Sequence, residues 1–311
     1  MVEKLQQWAA QRGYRVAWGS RKVVESVRKE IADRRANLEL NGRFFEGELT
    51  ALIGEGRDDA GRTVVVVAKP RPAHTVGFDF EGEVFDALLP PTYFRYRAVF
   101  EDVRVDLEAN GLPGARVGHL VAPLKAIAGR LGLVSYGRNN ISYAPGLGSY
   151  FQLCGYLTDA DLPVLEEAER VVKPLLPECE GCSACLSMCP TGAITEERML
   201  LRAERCLTFA NENPGDWPEW VDPRVHNCLL GCLECQRVCP ANPELPIEHT
   251  GLRFSANETR LLLSDDAVVH GNVETGIRAK LAWLGQTYSV PVLGRNLRAL
   301  RGAAEPARQK L

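Results

Sequence analysis

Cysteine is nearly absent from most of this 311-residue chain: nine of its ten cysteines lie between Cys179 and Cys239, and the other 250 residues hold only Cys154. Disulfides that staple a large fold are not clustered in this way, so the pattern points to a metal site in a reducing compartment. Long apolar runs are missing too. The longest, such as Val64 to Ala68, fall far short of the roughly 18 to 20 residues that cross a bilayer, which excludes a membrane span. The stretch Met1 to Ala10 reads as an amphipathic helix carrying Glu3 and Lys4, not as a secretory signal, and Arg34-Arg35 leads into polar residues rather than an export signal. A cytoplasmic protein is expected. An excess of one charge is also lacking: the net charge is -3, so no global basic field argues for nucleic acid. What remains, 45% hydrophobic and 25% charged residues, suits one large globular domain or two smaller ones.

The N-terminal part alternates helical and extended patterns. Val2 to Gln11 and Lys22 to Leu40 read as helices, and Thr63 to Ala68 is a β-branched run suited to a buried strand. Pro70, Pro72, Pro90 and Pro91 punctuate the next segment, after which Tyr96 to Asn110 is again helical, with Gly111 as its stop. A helix from Pro123 to Leu131 leads into Gly132 to Asp159, a stretch rich in glycine, tyrosine and asparagine whose backbone can approach a ligand closely or simply turn between strands. Pro174 and Pro177 mark a boundary near residue 175, and Glu258 to Leu263 and Ile277 to Leu284 are helical. The layout is an α+β domain over 1–175, a cysteine-rich domain over 176–245 and a short helical segment over 246–311.

Cys179, Cys182, Cys185 and Cys189 follow C-x2-C-x2-C-x3-C and precede Pro190, which is the bacterial ferredoxin run for a 4Fe-4S cluster. In that arrangement three closely spaced thiolates wrap one cubane and the fourth ligates a second. A second run exists as Cys232, Cys235 and Cys239 before Pro240, one cysteine short, and Cys206 and Cys228 compete for the vacancy. On the crossed pattern Cys179, Cys182, Cys185 and Cys239 bind one cluster and Cys189, Cys206, Cys232 and Cys235 the other, with Cys228 a bystander. Zinc is the main alternative, but this triple spacing is not that of a zinc ribbon. A redox dithiol lacks its βαβ setting, and Cys154 reads as a small buried hydrophobe. Two clusters carry one electron each, and roughly 175 residues precede them, more than a carrier scaffold needs, which suggests a second cofactor or substrate domain.

GLVSYGRNNISYAPGLGSYFQLCGYLTD resembles the GLG-x-x-GKN and GS-x-F segments of epoxyqueuosine reductases, and its YGRN form is similar to reductive dehalogenases. CEGCSACLSMCPTGAI, RCLTF and GCLECQRVCPAN have the order and spacing of the iron-sulfur module of the same family, so the likeness spans about residues 90 to 245. The resemblance implies a nitroreductase-like α/β domain that binds cobalamin, joined to a bacterial-type two-cluster ferredoxin domain, with an external electron donor such as ferredoxin or flavodoxin. It implies that Gly137, Arg138, Asn139, Asn140, Gly148, Ser149 and Tyr150 line or shape the corrinoid pocket, and that Tyr96, in FRYRAVF, lies near the cofactor.

The departures are informative. Where the family carries an aspartate proton donor, this chain reads VGHLVAPLK, with Gly118 and His119 and no aspartate. His119 is one substitute acid, and the phenols of Tyr93 and Tyr96 are others, each weighed against a purely structural role. Arg138 replaces the family lysine, Ala241 stands where a tryptophan is expected, and the region beyond residue 250 offers only a short helical stretch with Arg295, Arg298 and Arg301 on a solvated face. The expected function is a cobalamin-dependent reductase fed by two 4Fe-4S clusters, with tRNA as a substrate disfavoured by charge. The alternative is a non-catalytic iron-sulfur carrier that reduces a corrinoid or other partner protein; a flavin site has no signature of its own.

Overall fold

The structure is a computed structural model that describes residues 1–39, 61–164, 175–197, 200–264 and 275–308. In chain order its elements are α1 (Val2–Gln11), β1 (Arg15–Ser20), α2 (Lys22–Ala36), β2 (Thr63–Pro70), β3 (Ala73–Phe80), β4 (Glu83–Leu89), α3 (Tyr96–Asp106), β5 (Val117–His119) and α4 (Leu124–Arg130). They continue with β6 (Ser135–Tyr136), β7 (Ser142–Tyr143), β8 (Phe151–Thr158), α5 (Ala184–Met188), α6 (Leu207–Glu212), α7 (Glu234–Arg237), β9 (Ile247–Phe254), α8 (Ala256–Leu263), α9 (Thr275–Leu284) and α10 (Val290–Arg308). Leu40, where the second helix was expected to end, lies outside the described residues; the helix closes at Ala36.

Two compact units share the chain: residues 1–70 with 98–182, and residues 71–97 with 183–311. This is not the sequential division into 1–175, 176–245 and 246–311. Residues 71–97 join the later unit because β3 pairs with β9. That pairing links Ala73 to Ile247 and Phe78 to Phe254, far apart in the chain, and no local pattern announces it.

The first unit is built on an antiparallel sheet of order β1-β2-β8-β5. Its valine run is covered on both faces, as a continuous apolar strand should be. Val64, Val66 and Ala68 pack with Val24 and Val27 of α2 and Ile127 of α4. Val65 and Val67 point the other way, into Leu5 and Trp8 of α1 and Val103 of α3. The two-residue period of a strand puts alternate valines in separate cores. Cys154 of β8 lies fully buried in the second of them. Helix α3 does not run regularly to Asn110: Leu107–Gly111 is a π-helical turn. A Cβ on Gly111 would stand 2.7 Å from Leu107 Cδ1 and 3.1 Å from Trp8, so only glycine lets this turn meet α1.

The second unit has a sheet of order β4-β3-β9, with β3 and β4 antiparallel and β9 parallel to β3. Glu81 and Gly82, both at positive φ, form the tight β3-β4 turn. Phe78 stacks on Phe254 at 4.9 Å, in a core shared with Leu262, Ile277, Leu281 and Leu297. Helix α8 starts on a reciprocal capping box, with Ser255 N–H donating to Glu258 at 2.7 Å. The region beyond residue 250 is therefore more than one short helical stretch: it supplies the end of β9 and three helices that close this core. Nor do its arginines form a free basic face, since Arg295 lies over Trp217, Arg298 donates to the Leu263 carbonyl and Arg301 lies over Phe80. Among the described residues no helix is long and apolar enough to cross a membrane.

Candidate functional site

Each ferredoxin run folds as a loop, one helical turn and a proline. Cys185 sits on α5 and Cys235 on α7, and these two short helices pack on each other. Cys182 and Cys189 flank α5 and Cys232 and Cys239 flank α7, so each helical turn carries one cysteine of its run. All ten cysteines are free.

Long-range folding then gathers thiols. Burial pushes the Cys235 thiol up, and Cys232, Cys206, Cys189 and Cys185 lie close enough to push it further. Cys206 is likewise raised by burial and by Cys189, and Cys232 is raised to about 11 by burial, with Cys206 among its neighbours. Cys189, Cys206, Cys232 and Cys235, expected as one ligand set, lie near one another, but so does Cys185 of the other expected set, and Cys228 also neighbours Cys232. Cys228 is fully buried, and its S–H donates to Asn227 Oδ1 at 3.1 Å. Among the described residues no group of three or more His, Cys, Asp or Glu side chains is gathered tightly enough to hold a metal ion.

The surroundings suit thiolates. Ala193 N–H donates to Cys189 Sγ at 3.3 Å, Asn227 Nδ2 to Cys232 Sγ at 3.3 Å, and the Thr208 and Phe209 backbones favour ionised Cys206. Such N–H···S contacts favour the anionic form and tune a cluster bound through it. The donor set fits an iron-sulfur cluster.

A buried polar network anchors the second run. Asn211 and Asn296 are fully buried. Asn211 brackets Gly231, donating to its carbonyl at 2.6 Å and accepting its N–H at 3.0 Å, while Asn296 donates to the Asn211 carbonyl at 2.8 Å and the Leu229 carbonyl at 3.0 Å. Gly231 has φ +73°, and a Cβ there would stand 2.9 Å from the Tyr93 ring, so the residue before Cys232 must be glycine. Tyr93 in turn donates its hydroxyl to Glu212, whose pKa burial raises, and its carbonyl accepts from Gln286. Tyr93 is thus tied into the support of the cysteine loop. No sequence pattern pointed to Asn211, Glu212 or Asn296; only the RCLTF and GCLEC motifs beside them hinted at a constrained region.

In the first unit, Gly137–Ile141 link β6 to β7, closed by Asn140 N–H to Gly137 O at 2.9 Å and Gly137 N–H to Ile141 O at 2.9 Å. Asn139 is buried, donating to Tyr143 Oη at 2.9 Å and accepting Ile141 N–H at 3.2 Å. Asn140 adopts φ +59°, and Lys125 Nζ grips its carbonyl at 2.6 Å and its side-chain oxygen at 2.7 Å. Lys125 retains solvent-accessible surface, yet the dense surroundings of its ammonium pull its pKa down to about 8. Sequence reasoning gave this lysine no role, although it ends the VGHLVAPLK stretch.

Arg138 faces the first cysteine. Its backbone N–H donates to Cys179 Sγ at 3.4 Å and its guanidinium to the Cys179 carbonyl at 3.3 Å. Leu176 N–H to Tyr136 O at 2.8 Å stitches the same two segments together. Gly148 closes the neighbouring turn with φ +60°, accepting from Ala144 N–H at 2.9 Å, and Ser149 and Tyr150 are buried beside it.

For a corrinoid the fit is divided. The amides of Asn139 and Asn140 already serve the loop, so these residues shape it. Among the described residues, the buried atoms Arg138 Nε and Ser142 Oγ have no hydrogen-bond partner, so Nε can donate a hydrogen bond to a ligand and Oγ can donate or accept one.

The two tentative acids fall in different compact units. Tyr96 opens α3 and is 42% exposed. His119 ends β5, stacks on Phe100 at 5.1 Å and pairs through Nε2 with Glu101 Oε2 at 2.7 Å, while its buried Nδ1 has no hydrogen-bond partner among the described residues.

These features define an iron-sulfur protein, and residues 178–242 match the family described as a 4Fe-4S double cluster binding domain. The chain is 32% identical over 154 residues to the epoxyqueuosine reductase of Bacillus cereus, a stretch that covers 47% of this chain and 38% of that relative. It superimposes on epoxyqueuosine reductase from Bacillus subtilis with TM-score 0.63 at 20% identity, covering 97% of this chain and 81% of that one. A crystal structure of epoxyqueuosine reductase with an epoxyqueuosine-modified tRNA-Tyr stem loop is similar with TM-score 0.60 at 19% identity, covering 97% of this chain and 81% of that one. The chain therefore has the epoxyqueuosine reductase fold, with mixed helices and strands and a 4Fe-4S double-cluster region, while its sequence match reaches well under two thirds of the curated relative's length.

Proposed function

We propose that this chain is a cobalamin-dependent reductase of the epoxyqueuosine reductase kind, fed by two 4Fe-4S clusters. The observation that carries the reading is the gathering of Cys189, Cys206, Cys232 and Cys235 beside N–H donors, within a chain of that fold. Cys179, Cys182, Cys185 and Cys239 hold the first cluster, and Cys189, Cys206, Cys232 and Cys235 the second. Bound there, the clusters would supply one-electron transfer, with an external donor such as ferredoxin or flavodoxin as the source of electrons.

Bound cobalamin supplies a strongly reducing cobalt centre, the hard part of the chemistry. The chain supplies the rest. Arg138 and Ser142 offer buried polar atoms to the corrinoid periphery, Gly137, Asn139 and Asn140 hold the loop in shape, and Gly148, Ser149 and Tyr150 form the adjoining wall. Tyr96 and His119 are the proton donors in place of the family's aspartate, with Glu101 orienting the imidazole through its Nε2. The substrate class is an epoxide or a similarly reducible carbon-heteroatom bond. The tRNA stem loop bound by the solved relative makes a modified nucleoside the first candidate, although a net charge of -3 gives no global attraction to RNA.

A second reading, an iron-sulfur carrier that reduces a partner protein, is favoured by one observation: the Asn139 and Asn140 amides are already engaged within the chain. Anaerobic purification and cluster reconstitution, followed by iron counting and a cobalamin titration read by visible absorption and tryptophan quenching, separate the two. About eight irons with saturable one-to-one cobalamin binding support the reductase. About eight irons without cobalamin binding leave the carrier.

A further inference from the structure

Of the nine clustered cysteines, Cys228 is the one that the ligand assignment leaves over, and its surroundings give it a use. Asn227, beside it, makes four contacts. Its Nδ2 donates to the Val225 carbonyl at 3.2 Å and to Cys232 Sγ at 3.3 Å, while its Oδ1 accepts Leu233 N–H at 3.3 Å and Cys228 S–H at 3.1 Å. The backbone partners settle which end of the amide is which, because a carbonyl can only accept and a backbone N–H can only donate. The amide cannot flip without breaking both, so one of its N–H bonds is committed to the Cys232 sulfur.

We propose that Asn227 is a positioning residue that sets the reduction potential of the cluster held by Cys232, and that the Cys228 thiol helps to hold its amide on that sulfur. The inference rests on the ligand set of the proposed function. A cubane that accepts one electron gains one negative charge, spread in part onto its thiolate sulfurs. An N–H aimed at one of them stabilises the reduced form more than the oxidised form, so the donor raises the potential. In this role Cys228 needs to be a neutral donor, and its full burial suits a thiol rather than a thiolate.

The test is an anaerobic redox titration of the reconstituted full chain, with dithionite as the electron source and electron paramagnetic resonance as the readout, alongside iron counts. Asn227→Leu removes the donor at nearly constant volume. It is expected to keep about eight irons and to lower one of the two cluster couples, by roughly a tenfold loss in the reduction equilibrium constant, about 59 mV for one electron. The other couple stays in place. Cys228→Ala moves the same couple in the same direction by less, and Cys228→Ser, which restores a donor to Oδ1, returns it towards the unmodified value. Asn227→Asp keeps the acceptor for Leu233 but has no N–H for Cys232, and it provides a second route to the same loss.

Full iron with both couples unmoved in the Asn227 variants overturns the inference, as does an equal shift of both couples. Loss of iron from both Asn227 variants also counts against it, since Asn227 would then only support the loop. An unmodified protein that reconstitutes with about four irons or none sinks the two-cluster reading first, and the inference with it.

Discussion

The backbone N–H of Arg138 donates to the Cys179 thiol at 3.4 Å, across 41 positions of chain. The loop expected to meet a corrinoid is thus also the loop that supports the first cysteine of the ferredoxin run. Its backbone N–H reaches the Cys179 thiol and its guanidinium the Cys179 carbonyl, and substitution of the side chain separates the two contacts. Arg138→Ala leaves the amide on Cys179, so iron content should hold. Loss of the guanidinium should weaken cobalamin binding by about tenfold or more, the scale of a charged hydrogen bond. Arg138→Lys should recover only part of that, because an ammonium does not reproduce the planar fork. Iron counts and cobalamin titrations of the three proteins decide the matter.

The eighth ligand is assigned by contrast. Cys206→Ala is expected to hold only about four irons, because it empties one corner of the gathered thiols. Cys228→Ala should keep about eight. Full iron in the Cys206 variant would overturn the ligand set.

Lys125 confers a pH dependence on stability. The dense surroundings of its ammonium lower its pKa in the folded protein to about 8, below the ordinary lysine value of about 10.4, so between those pH values the unfolded chain binds more protons than the folded one. Stability contributed at this site therefore rises as pH increases from about 8 to about 10. The slope is shallow, since the residue keeps solvent access. Urea unfolding across that range should show the rise in the unmodified protein and a flatter profile in Lys125→Met.

Gly231→Ala forces a side chain into left-handed backbone and into the Tyr93 ring, 2.9 Å away. The backbone term alone is about 1 to 2 kcal/mol, and the contact adds to it. Denaturant midpoints should fall, and the second cluster should be lost more readily to a chelator. Tyr93→Leu in the same chain should relieve the clash but remove the hydroxyl that donates to Glu212, so the two changes should not add.

Much of this architecture was legible before any coordinates because its cause is local. The continuous valine run could only be a strand covered on both faces, and the C-x2-C-x2-C-x3-C-P spacing places thiols on a turn whatever surrounds it. The helices Val2–Gln11 and Thr275–Leu284 carry their own apolar periodicity. The long helix Val290–Arg308 escaped notice because Pro291 and Gly294 stand in its first turns, where a proline is tolerated without a lost hydrogen bond.

The sequence by itself determined the cysteine spacing, the buried strand and the family likeness, since each depends on residues a few positions apart. Only the tertiary structure decided that Cys206 shares a neighbourhood with Cys189, Cys232 and Cys235, that Arg138 leans on Cys179, and that residues 71–97 fold with the C-terminal unit. Those choices are made by pairs such as Phe78 and Phe254, or Asn211 and Gly231, that meet only when distant segments bury apolar surface together. Burial is a property of the assembled core, and no stretch of chain carries it alone.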